Sequence, residues 1–111
     1  MATGIEETIR GQQDAFARGD FAGARAFASQ TFQASVSDEQ FAVIIDESYS
    51  FLLDDPPVEI LACAQRGDLA QVIVRVSSSP EVGMSYRLVL EEPGWRIDGA
   101  TVVAEPETVA A

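Results

Sequence analysis

Four side chains have types and spacings suited to chemistry: Tyr49, Tyr86, Asp46 and Asp98. Asp46 and Tyr49 stand three apart within a helical pattern, so they can share a face. Tyr86 falls on a strand, on the apolar side of the register described below. A tyrosine and a carboxylate in one dry cavity can polarise a carbonyl and move a proton, because burial raises a carboxylate's pKa. The catalytic set this pattern allows is Tyr49 and Tyr86 as donors and Asp46 as base, acting on an apolar carbonyl compound. Each residue also has a plainer reading. Tyr86 fits a core aromatic with a satisfied hydroxyl, Asp46 a solvated helix face, and Asp98 a cross-strand partner for Arg87.

The missing residue types narrow the chemistry further. The 111 residues include no histidine, no lysine and one cysteine, Cys63. Histidine triads, Schiff-base chemistry and a P-loop lysine are thereby excluded. So are a histidine or cysteine zinc site and an internal disulfide. No cofactor and no metal is expected. Cys63, flanked by alanines, reads as a small buried hydrophobe. Net charge is −11, from 18 acidic and 7 basic residues, which argues against nucleic acid and anionic membrane surfaces. The sequence contains no run of about 18 apolar residues. Its first residues, MATGIEETIRGQQ, lack the basic and apolar regions of a signal peptide. The expected location is the cytoplasm. At 47% hydrophobic, the chain has enough apolar surface for one folded domain, expected over residues 1–104, with 105–111 a frayed tail.

These residues must be positioned by two kinds of element. Thr3-Gly4-Ile5-Glu6 has capping-box spacing and opens a helix to about Arg18, with Ile5, Ile9, Gln13 and Phe16 as its stripe and Gln12 and Ala17 beside it. Gly19 suits the end of that helix, and Asp20 can cap the next, Phe21 to Ala28. Ser29 to Val36 is ambiguous, with one irregular helical turn as an option. Ser37-x-x-Gln40 is a second capping box, opening a third helix over about Asp38 to Leu53. Its stripe is Phe41, Ile44, Ile45, Ser48, Tyr49 and Leu52, and Pro56-Pro57 stops it.

From Val58 the apolar period becomes two. Val58–Arg66 and Leu69–Ser77 form a hairpin about Gly67-Asp68, with Cys63 facing Val72 and Leu61 facing Val74. Both faces of this hairpin are largely apolar, so both need cover. Met84 to Val103 forms a second hairpin about Glu91-Glu92-Pro93-Gly94. Its expected pairs are Leu90 with Trp95, Leu88 with Ile97, Tyr86 with Gly99 and Met84 with Thr101. On the other face Arg87 meets Asp98 and Val89 meets Arg96, an alignment that collects the apolar side chains on one side. Gly99 can also mark a bulge. Arg75, Arg87 and Arg96 should gather opposite the core, where they could bind an anion or pair across a dimer.

The expected fold class is α+β: three N-terminal helices on the concave face of a curved four-stranded antiparallel sheet. This order, with Gln13-x-x-Phe16-Ala17-Arg18-Gly19-Asp20-Phe21-x-x-Ala24 and Gly94-Trp95-Arg96-Ile97-Asp98-Gly99, resembles the cone-shaped nuclear-transport-factor-2-like superfamily. Phe41 to Leu52 matches its third helix. Within that superfamily the chain is similar to a family of short bacterial domains of unknown function. The resemblance implies a pocket between helices and sheet and homodimers through the outer sheet face. It carries over no catalytic set. Two functions follow as expectations: a non-catalytic binding or dimerisation module, or a small isomerase or cyclase using Tyr49, Tyr86 and Asp46. A small apolar ligand suits either.

Overall fold

Side-chain caps open three of the four helices. In a computed structural model, which describes residues 2–78, 80–92 and 94–103, α1 runs Ala2–Ala17 and buries Ile5, Ile9, Gln12, Gln13 and Phe16. Ala15, rather than Ala17, completes its buried face. Gly19 takes the left-handed backbone expected of it, φ 70°, and lets Asp20 N donate to Ala15 O at 2.9 Å. The Asp20 carboxylate accepts from Gly23 N at 2.9 Å, opening α2, Phe21–Arg25.

This helix stops before Ala28, because the next residues are claimed by the sheet. Ile97 N donates to Phe27 O at 2.8 Å and Ser29 N to Ile97 O at 2.9 Å. The ambiguous stretch is then a helix in its own right, α3, Gln30–Ser35, capped by Ser29. Arg25 satisfies the carbonyls at its far end. Its Nη2 donates to Gln33 O and its Nε to Val36 O, both at 2.7 Å. Such carbonyls otherwise have no partner inside a helix.

The second capping box is formed in both directions: Gln40 N donates to Ser37 Oγ at 3.1 Å, and Ser37 N to Gln40 Oε1 at 2.9 Å. It opens α4, Asp38–Ser48. This helix gives way at Tyr49 to a 3-10 turn, Ser50–Asp54, rather than continuing to Leu53. Asp55 leaves that turn in the left-handed region, φ 53°, so that Pro56 and Pro57 can lead into the sheet.

The sheet is an antiparallel meander in the order β1 (Val58–Arg66), β2 (Leu69–Val76), β3 (Val82–Glu91), β4 (Gly94–Val103). The α+β class holds, with four helices on a four-stranded sheet. Val72, Val74, Val76, Met84, Tyr86, Leu88, Trp95 and Ile97 form the sheet's side of the core.

Two bulges correct the expected registers. Leu90–Trp95, Val89–Arg96 and Leu88–Ile97 pair as read, but Asp98 is an extra residue, so Arg87 faces Gly99, Tyr86 faces Ala100 and Met84 faces Val102. The bulge turns Ala100 onto the core beyond the glycine, and Arg87 Nε still reaches Asp98 Oδ2 at 3.3 Å. In β1, Leu61 is the extra residue, so Ile60 rather than Leu61 faces Val74. Ile60 accordingly packs on the core, while Leu61 is 49% exposed. Cys63 faces Val72 as expected, yet it is exposed. The reading of it as buried is corrected because Leu61–Arg66 is exposed throughout on an edge strand. Leu90, expected in the core, is 41% exposed. Pro93 and the tail expected over 105–111 lie outside the described residues.

Candidate functional site

Beneath the sheet lies a cavity of about 130 Å³. Gln12 and Phe16 of α1 line it, with Phe41 and Ile45 of α4, Tyr49, Met84 and Tyr86 of β3, and Ile97 and Ala100 of β4. The helical spacing of Phe41 and Ile45 turns both inward, and the two-residue spacing of Met84 and Tyr86 does the same from the sheet. Phe41 stacks on Phe16 with ring centres 6.0 Å apart and meets Phe32 edge-on at 6.0 Å. These aromatic contacts hold one wall in place.

The structure brings two of the three sequence-predicted residues to this cavity. Tyr49 and Tyr86 both line it, whereas Asp46 is exposed on α4 and takes no part in the lining. No carboxylate lines the cavity among the described residues. Asp98 lies on the bulge, where it accepts from Arg87 and from Ser29 Oγ.

The two tyrosines differ in their partners. The Tyr49 hydroxyl donates to Ala100 O at 3.3 Å. Tyr86 is 3% exposed, and its hydroxyl has no hydrogen-bond partner among the described residues. Every fully enclosed side-chain polar atom among those residues is hydrogen-bonded, so the Tyr86 hydroxyl is not fully enclosed, and the residue lines the cavity. Burial pushes its pKa well above the ordinary tyrosine value, and the neighbouring Tyr49 adds to the rise. The group is therefore a neutral donor at neutral pH.

Gln12 is a site residue that sequence reasoning placed only beside a helix stripe. It is buried, and its Nε2 donates to Ala24 O at 3.3 Å. Its Oε1 has no partner among the described residues. An amide on an otherwise apolar stripe was the available signal.

The outer sheet face carries a second, open concavity of about 650 Å³. Ala64, Leu69, Gln71, Ser85, Arg87 and Thr101 line it, and Arg66 stands at its rim. Gly99 makes room for Arg87 there: a Cβ on Gly99 would come within 2.9 Å of Arg87 Nη2. Arg66, Arg75, Arg87 and Arg96 all belong to this side of the sheet by register. Arg75 pairs with Glu59 and Glu81, and Arg87 with Asp98. Among the described residues, no group of three or more His, Cys, Asp or Glu side chains is arranged to hold a metal. No helix among them is long and apolar enough to cross a membrane.

The sequence profile of a family described as a domain of unknown function, DUF4864, matches residues 1–110. No curated protein matches the chain. Among solved structures, a SEC-C motif-containing protein from Rhodopseudomonas palustris superposes with a TM-score of 0.62 at 17% sequence identity. The match covers 87% of this chain and 77% of that one, and it is a likeness of fold.

Proposed function

This chain belongs to the DUF4864 family of unknown function, and from that premise we propose that it is a non-catalytic binding module that works as a homodimer. Two copies meet through the outer sheet face. The observation that carries this reading is the division of charge between the two layers. Residues 2–55, the helical side, hold ten acidic and three basic side chains. Residues 58–103, the sheet, hold six acidic and four basic ones. Two copies meeting by their helical sides would repel, whereas the sheet's outer face offers the open concavity, exposed Leu69 and half-buried Ile73 and Val89 with little net charge.

Membership of the nuclear-transport-factor-2-like superfamily and a cytoplasmic location belong to the same proposal. The element order supports the first, and the acidic, histidine-free composition is compatible with the second. Light scattering at micromolar concentration tests the central claim. The expected mass is twice the 11.9 kDa of the chain, and Leu69→Asp should return it to a monomer. A wild-type monomer under those conditions rejects the reading.

An isomerase or cyclase acting through Tyr49, Tyr86 and Asp46 is the second reading, favoured by the two tyrosines sharing one cavity. It requires a base, and among the described residues no carboxylate lines this cavity, Asp46 being exposed. Deuterium exchange next to the carbonyl of small ketones, followed by NMR, decides it. Exchange that is lost in Asp46→Asn would favour the enzyme over the binding module.

A further inference from the structure

We infer that the cavity under the sheet is a binding site for a small uncharged molecule, phenol-sized and mostly apolar, that carries one hydroxyl or carbonyl oxygen. The inference deepens the binding-module reading but does not depend on dimerisation, since the cavity lies on the opposite side of the sheet from the proposed interface.

Size sets the first limit. The space measures about 130 Å³, and an apolar cavity of about 150 Å³ accepts benzene. Wall chemistry sets the second. Phe16, Phe41, Ile45, Leu52, Met84 and Ile97 present hydrocarbon and thioether surface. No charged side chain lines the space among the described residues, so a carboxylate or an ammonium would be desolvated with no counter-ion.

Two polar atoms set the third. A buried tyrosine hydroxyl normally finds a partner, yet that of Tyr86 has none among the described residues although the residue is 3% exposed. Gln12 also lines the cavity; its amide nitrogen is taken by Ala24 O, and its Oε1 has no partner among the described residues. One donor and one acceptor match a hydroxyl group, and the donor alone matches a carbonyl. A lone water is a poor fit, because it takes up about 30 Å³ of a space of about 130 Å³ that is walled mostly by hydrocarbon. Ile44, 40% exposed and part of the lining, marks where a ligand enters.

Phenol, benzene and benzoate are the probes, titrated into the full chain while the isoleucine and methionine methyl signals are followed by NMR. Phenol and benzene should shift Ile45, Met84 and Ile97, and benzoate should shift none of them. Tyr86→Phe should weaken phenol roughly three- to tenfold, the worth of one hydrogen bond, while leaving benzene unchanged. Unchanged benzene binding also shows that the variant keeps the cavity. Ala100→Leu, which fills the space, should abolish both responses. The inference is overturned if neither phenol nor benzene moves a cavity methyl. It is equally overturned if benzoate binds as well as phenol, or if Tyr86→Phe binds phenol as tightly as the wild type. A wild-type monomer that still binds phenol would reject the dimer alone.

Discussion

Ser29 Oγ donates to Asp98 Oδ1 at 2.7 Å, and the same oxygen accepts from Phe32 N at 3.1 Å. One buried hydroxyl thus caps α3 and fastens it to the bulge of β4. Asp98 is available for this because it is the extra residue of its strand, and its second oxygen accepts from Arg87 Nε at 3.3 Å. Ser29→Ala should lower stability by about 1–2 kcal/mol, combining a lost cap with a weakened charge-assisted bond. Asp98→Ala in the same background should cost less than it does alone, with a coupling of about 0.5–1.5 kcal/mol in a double-mutant cycle. Urea unfolding of the four proteins measures this, and strict additivity would mean that the pair contributes nothing.

Leu88 and Leu90 point to the same side of β3 but have different surroundings. Leu88 is fully buried, whereas Leu90 is 41% exposed at the end of the hairpin. Leu88→Ala should cost about 2–5 kcal/mol, because it removes transfer energy and leaves a cavity. Leu90→Ala should cost below about 1 kcal/mol, since water already reaches the site. Equal losses in chemical denaturation would show that the helices extend over Leu90.

Gly11 lies inside α1, where alanine would ordinarily stabilise the helix by about 0.5–1 kcal/mol. Here a Cβ would stand 2.5 Å from Phe27 Cζ and 2.6 Å from its Cε1. That ring lies against α1 just where the chain joins the sheet at Ala28 and Ile97. Overpacking costs about 1–3 kcal/mol, so the clash should outweigh the propensity, and Gly11→Ala should unfold at lower temperature than the wild type. A higher midpoint would show that Phe27 can swing away without loss.

The sequence carried its local signals well and its long-range ones incompletely. Ser37 and Gln40 lie close in the chain, and their reciprocal caps formed as read. The alternation of Leu88, Leu90, Trp95 and Ile97 fixed the near half of the last hairpin. Beyond the Asp98 bulge the same alternation misled, because one added residue moves every later side chain to the opposite face. Gly99 was the only local hint of it. The third helix ended early because Tyr49 takes up a capping conformation, which no residue type nearby demanded. At the cavity, the apolar stripes indicated Tyr49 and Tyr86. Asp46 was placed by spacing alone, and a helix position three residues away also allows a side chain to face solvent. Cys63 was read from its apolar neighbours, but its exposure depends on where the helical cover stops.

Tyr86 also provides a pH test of the buried hydroxyl. Its ordinary pKa is 10.0, and burial raises it in the folded chain. Below the ordinary value both folded and unfolded chains keep the proton, so the group adds no slope to stability. Above it the unfolded chain loses the proton while the folded chain retains it, and stability should fall by about 1.4 kcal/mol per pH unit until the folded pKa is reached. Tyr86→Phe has no such proton. At neutral pH the variant should match the wild type within about 0.5 kcal/mol, because the hydroxyl it lacks has no partner among the described residues. The chain has no lysine, so few other groups titrate in this range, and those that do are shared by both proteins. Urea midpoints at about pH 9 and about pH 11 should therefore separate the two, with the wild type losing more on going alkaline. Parallel losses would place the Tyr86 hydroxyl in contact with water and count against its part in the ligand assignment.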